Sequence, residues 1–231
     1  MHQPSENQHR LRRLSVAVVG DSLAYGLGAA DPSGGLIQRI FREIRRERPG
    51  STISNHAVPH ATMGDVLRHQ VHRLSGKQWD VVFVVAGAND LRYTRDRFVF
   101  VRRFQHLLNA VHESAPHALI VVGGMPDVTQ TVAVHKLVKP AIAHLCSRLN
   151  ETMRRIAAQA GYAFIDLFLY TNAPLCPEEA YLCDDGYHPN DFGYAEIAGR
   201  AAPAILEALR SLDTATTAYP HDGFAETPIR S

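Results

Sequence analysis

Val16-Ala17-Val18-Val19-Gly20-Asp21-Ser22-Leu23 is the stretch on which the reading of this chain turns. An apolar, largely β-branched run stops at a glycine, and an amphipathic segment follows. That order describes a strand buried on both faces that turns into a helix, the unit from which parallel sheets are built. Ser22 then stands at the carboxyl edge of the sheet. Ligands of open α/β sheets bind there, and backbone N–H groups at a helix start can hold an anion. Ser22 is therefore a candidate nucleophile. Taken alone, Gly20-Asp21-Ser22 is read as well by a turn with a helix cap, since all three residue types form turns and Ser is a common N-cap. The rest of the chain has to decide.

Beyond this stretch, apolar runs alternate with helical patterns, the signature of βαβ units. Strands are predicted at residues 15–20, 51–56, 81–86, 118–122 and 162–167. Leu36, Ile37, Ile40, Phe41 and Ile44 share one face of a helix that ends near Pro49-Gly50, with Arg and Glu opposite. Further helices are predicted at 63–74, from Phe98 through Val111 to a stop before Pro116, at 137–160 and at 192–212. The expected architecture is α/β, with a five-stranded parallel sheet in one domain spanning 15–212. Residues 1–14 form a polar extension. Residues 213–231, rich in Thr, Pro and Gly without period, are read as an irregular tail.

A chain of 231 residues with 45% hydrophobic composition can bury one good core. Its net charge of +1 provides no global field for nucleic acid or an anionic membrane. Cys146, Cys176 and Cys183 are too few for a secreted disulfide framework, so free thiols in a reducing compartment are expected, with Cys176 and Cys183 able to pair across a loop. The start lacks the apolar core of a signal peptide, and no apolar run reaches membrane-spanning length. A cytoplasmic protein with no membrane span is the expectation.

Three segments just past a strand or just before a helix carry chemistry: Gly20-Asp21-Ser22, Gly87-Ala88-Asn89-Asp90 and Asp185-Gly186-Tyr187-His188-Pro189-Asn190. Acyl transfer through a serine needs a base, a group that orients the base, and donors aimed at the developing oxyanion. Ser22, His188, Asp185 and Asn89 can fill these roles. The three-residue offset from Asp185 to His188 lets one turn present a carboxylate to one imidazole nitrogen while the other faces the serine. Asp21 and Asp90 each follow a glycine-marked strand end and are read as turn-stabilising residues beneath the site, with Gly87 shaping its turn. His56 with His60, and His69 with His72, lack a Cys or carboxylate at ligand spacing, so no metal or cofactor is expected. Gly20, Gly26 and Gly28 are not followed by the Lys-Ser or Lys-Thr of a phosphate loop. Arg42, Arg45, Arg46 and Arg48 read as the solvated side of their helix.

Together these blocks resemble those of the SGNH hydrolases, also called GDSL esterases and lipases. The resemblance rests on Val18-Val19-Gly20-Asp21-Ser22-Leu23, Gly87-Ala88-Asn89-Asp90 and Asp185 to Asn190, in that order, and covers about Ser15 to Leu212. It implies a flavodoxin-like three-layer sandwich and a small-molecule ester as substrate. It further implies Ser22 as nucleophile, His188 as general base and Asp185 as the residue that orients it. The oxyanion donors would be the Asn89 amide and the Ser22 N–H. Thioesterase and lysophospholipase activities belong to the same reading, and a binding-only protein on this fold is the alternative of a different class. One block departs from the pattern. His60 stands where the family usually has a glycine whose N–H completes the oxyanion hole. Because Pro59 favours the second position of a turn, a type II turn would place His60 in the left-handed region and keep its N–H in play.

Overall fold

The fold is described from a computed structural model covering residues 11–131, 134–172 and 181–218. Strands β1 (Ser15–Gly20), β2 (Thr52–Asn55), β3 (Val81–Val85), β4 (Leu119–Gly123) and β5 (Ala163–Ile165) form one sheet in the order β2-β1-β3-β4-β5. All four pairings are parallel. This is the flavodoxin-like order, and its direction reverses between β1 and β3, which opens a crevice at their carboxyl ends.

The helices are α1 (Ser22–Tyr25), α2 (Leu36–Glu47), α3 (Met63–His69), α4 (Arg97–Ser114), α5 (Lys139–Gln159), α6 (Leu167–Asn172) and α7 (Asp191–Ala218). Alternation along the central strands divides the core in two. Val16 and Val18 of β1 with Val81, Phe83 and Val85 of β3 face α2 and α7, where Ile37, Ile40, Ile197 and Ile205 meet them. Ala17 and Val19 with Val82 and Val84 face α3, α4 and α5, packing with Val66, Phe104, Leu107 and Leu149. Both faces of the sheet are covered, so the strand sequences are apolar at nearly every position instead of alternating. The chain is a three-layer α/β sandwich. No helix among the described residues is long and apolar enough to cross a membrane.

Two elements differ from the sequence reading. The segment predicted as one helix over 63–74 breaks at Gln70 into α3 and a 3₁₀ turn, Val71–Leu74. Gln70 is buried, and its amide is spent on the end of β1, accepting from the Gly20 N–H at 2.7 Å and donating to the Gly20 carbonyl at 2.9 Å. The final helix also continues past Leu212 to Ala218, so the first part of the expected irregular tail is helical. Arg48, 1% exposed, forms an ion pair with Asp213 and donates to the Leu209 carbonyl, which fastens the end of α7 to the end of α2. Arg48 is thus not on the solvated helix face predicted for it. Cys146 and Cys183 are free thiols, while the suggested pairing partner Cys176 lies outside the described residues.

Candidate active site

β1 delivers its last residues to the crevice under tight constraint. A Cβ on Gly20 would lie 2.1 Å from the Val85 carbonyl oxygen, so only glycine lets β1 approach β3 this closely before turning. Asp21 caps α1, its carboxylate accepting from the Leu23 N–H at 3.1 Å. Ser22 is the first helical residue and is buried. At that position its N–H has no carbonyl within the helix to donate to. Burial pushes the Asp21 carboxyl up to about 7, with the Leu23 N–H opposing and the charge of Asp90 adding to the rise.

β3 ends at Gly87, whose φ of 133° turns the chain into the 3₁₀ helix Ala88–Arg92. That helix sets Asn89 and Asp90 beside the loop after β2. The buried Asn89 amide donates to the Ala61 carbonyl at 3.2 Å, which uses one of its two N–H bonds. Asp90, fully buried, accepts from the Met63 N–H at 2.9 Å and from Arg103 at 3.4 Å. Burial raises its carboxyl, with these donors opposing. Asp21 and Asp90 thus each accept backbone N–H groups of the turns around them.

The loop after β2 carries the departure from the family pattern. Ala61 N–H donates to the Val58 carbonyl at 3.2 Å, closing the turn Val58-Pro59-His60-Ala61. His60 has φ 65°, and it is the one non-glycine residue with positive φ among the described residues. A left-handed third residue after proline is the type II turn anticipated from Pro59. Its N–H donates to no group among the described residues.

The last segment folds around one carboxylate. Asp185 Oδ1 accepts the N–H groups of Tyr187 at 2.7 Å and His188 at 2.9 Å, and Oδ2 meets His188 Nδ1 at 2.6 Å. Burial alone would raise the Asp185 carboxyl. Hydrogen bonds from the His188 ring and N–H, the Cys183 thiol and the Tyr187 N–H outweigh it and hold the group well below the usual carboxylate range. The His188 side chain is only 5% exposed, and its Nε2 is buried without a hydrogen-bond partner among the described residues. This segment is seated on the loop after α1. A Cβ on Gly28 would be 2.9 Å from His188 Cβ, and the Tyr194 hydroxyl donates to the Leu27 carbonyl at 2.6 Å. It also reaches the β2 loop, with the His60 and His188 rings edge to face at 6.2 Å between centroids. The Tyr187 ring packs against His188 at 4.9 Å. The sequence reading gave Tyr187 no role, and nothing in its position within the block signals that contact. An open cleft of about 480 Å³ lies beside Asp185, lined in part by Leu27, Gly28, Leu182 and Asn190.

All three segments, and His60 with them, thus meet at the carboxyl edge near the β1–β3 reversal. The profile of the GDSL-like Lipase/Acylhydrolase family matches residues 18–196, from β1 into α7. The chain belongs to that family. The YpmR protein of Bacillus subtilis (strain 168) is 25% identical over 225 residues, which is 88% of this chain and 84% of YpmR. Among solved structures, TesA superposes with a TM-score of 0.66 at 18% identity, covering 84% of this chain and 99% of TesA. The family 3 carbohydrate esterase of Clostridium thermocellum gives 0.66 at 18%, covering 87% and 99%. At these identities the structural matches speak to the fold, while the profile match establishes the GDSL family.

Proposed function

We propose that this GDSL-family chain hydrolyses carboxylic esters of small molecules through an acyl-enzyme on Ser22. The observation that carries the reading is the state of His188. Asp185 is held ionised and can only accept, so the short contact supports a proton on Nδ1, with the lone pair on Nε2. A buried ring nitrogen without a partner costs free energy and calls for a use. That use is to take the Ser22 hydroxyl proton.

In the proposed reaction Ser22 Oγ adds to the ester carbonyl carbon as its proton passes to His188 Nε2. The carbonyl oxygen becomes an oxyanion, received by the Ser22 N–H, the second Asn89 amide N–H and the His60 N–H. Collapse expels the alcohol, which takes the proton from His188. Water, activated in turn by His188, then releases the acid and restores Ser22. That one structural neighbour is named a carbohydrate esterase and that the family is one of lipases and acylhydrolases both favour ester bonds. The positive φ of His60 supports the catalytic reading over a binding-only role, because the backbone there keeps a conformation that a glycine would take.

A fluorophosphonate probe tests the nucleophile. The adduct is expected on the peptide that contains Ser22 and is expected to be absent from Ser22→Ala. An adduct on another serine would overturn the proposal. The role of His60 is tested separately with His60→Gly. Left-handed backbone costs a non-glycine residue about 1–2 kcal/mol, so the variant should lose no stability from that turn. If the backbone N–H is what matters, kcat on an acetate ester is retained or raised, and longer acyl groups are accepted once the imidazole no longer narrows the mouth. A loss of a hundredfold or more in folded His60→Gly would mean that the imidazole itself takes part.

A further inference from the structure

The net charge of the chain conceals a local imbalance beside the site. α4 and α5 pack on the same face of the sheet and follow the neighbouring strands β3 and β4, so the segments leading into them rise from the same carboxyl edge. In the first, Arg92, Arg95 and Arg97 are exposed, and Tyr93 and Phe98 are 74% and 73% exposed. The Arg97 guanidinium lies over the Phe98 ring, 5.4 Å from its centroid. The acid among them, Asp96, is occupied in capping α4 through the N–H groups of Phe98 and Val99. In the second segment Lys136 is exposed, Leu137 is 80% exposed and Val138 is exposed beside them. No Asp or Glu occurs in the sequence between Asp127 and Glu151.

Aromatic and aliphatic side chains held out into water beside cations are costly for an isolated surface and mark an interaction site. We infer that this edge docks the protein on an anionic lipid surface and so presents the site to esters lying in that surface. The arrangement fits both layers of such a partner: Arg and Lys for the charged headgroups, Phe98, Tyr93, Leu137 and Val138 for the acyl boundary beneath. A nucleic acid would satisfy the cations and leave the aliphatic residues in water. The geometry places the catalytic segment close by, since Arg92 and Tyr93 follow Asn89 within the same 3₁₀ element and its cap.

The inference rests on the ester-hydrolase reading for its substrate, and the experiment separates the two. The full chain is sedimented with vesicles of phosphatidylcholine alone or with phosphatidylglycerol added, and turnover of a soluble acetate ester is followed in parallel. Binding is expected only to the anionic vesicles and is expected to weaken with salt. Arg95→Gln with Lys136→Gln should reduce it about thirtyfold, which corresponds to ~1 kcal/mol for each cation at an anionic surface. Phe98→Ser with Leu137→Ser should also weaken it, and both pairs should leave acetate turnover unchanged. Absence of binding to the anionic vesicles alongside normal turnover overturns the docking surface alone. So does binding that is indifferent to Phe98→Ser with Leu137→Ser and equalled by a nucleic acid of similar charge. Vesicle binding in a protein that never turns over the soluble ester supports docking and overturns the hydrolase reading.

Discussion

Ser22→Ala is expected to lower kcat for ester hydrolysis by about 10⁴ to 10⁶, and His188→Ala by a similar factor. In the proposed reaction the two groups act as one device. Without the hydroxyl there is nothing for Nε2 to deprotonate, and without Nε2 the serine stays a neutral, weak nucleophile at its ordinary pKa. The variant that carries both changes should therefore be no slower than the worse single variant. Residual activity over water should remain, because the Asn89 amide and the backbone donors still meet the oxyanion. Ser22 contributes little to the fold beyond its backbone, its carbonyl accepting from the Gly26 N–H at 2.9 Å and the Leu27 N–H at 3.0 Å. Alanine retains those bonds, so the melting temperature should hardly move. Kinetics on an activated ester, with burst analysis for the acyl-enzyme, check this. If the two losses multiply in the double variant, the residues work independently and the proposed relay is wrong.

Much of this arrangement could be read before the fold was seen, and the reason lies in how local its determinants are. β1 and β3 are continuous apolar runs bounded by Gly20 and Gly87, and buried parallel strands have no polar face to confuse the reading. The turn at His60 was legible through Pro59, because turn geometry is set within four residues. The Asp185–His188 contact was likewise legible, because its three-residue span is closed by hydrogen bonds within the same turn. What escaped depends on partners far along the chain. The break at Gln70 exists because the Gly20 backbone, fifty positions earlier, takes its amide. The extension of α7 depends on Arg48 meeting Asp213 across the protein. The cationic edge escaped for another reason. A sum over the chain cancels Arg92, Arg95, Arg97 and Lys136 against acids that stand elsewhere, and only the fold puts the starts of α4 and α5 at one edge of the sheet.

Asp185→Asn is expected to lower kcat by about 10³ to 10⁴ while the turn survives. An asparagine oxygen can still accept the N–H groups of Tyr187 and His188, which the carboxylate holds at 2.7 and 2.9 Å. The amide nitrogen would then face Nδ1 and donate to it. The ring proton would move to Nε2, and the nitrogen proposed as base would become a donor instead of an acceptor. The charge that steadies the imidazolium would be lost as well. Stability gives a second readout whose sign follows from the direction of the shift. Asp185 is held below its ordinary value of 3.8, so its contribution to the fold is present above that value and lost as the pH falls through the lower value in the fold. Any excess in the melting temperature of the wild-type protein over Asp185→Asn should therefore shrink as the medium is acidified below about pH 4. The side chain is 45% exposed, so solvent screening keeps that difference modest, and the kinetic effect is the decisive one. A loss of less than tenfold, with the pH dependence of turnover unchanged, would mean that Asp185 only holds the turn and that His188 takes its tautomer from elsewhere.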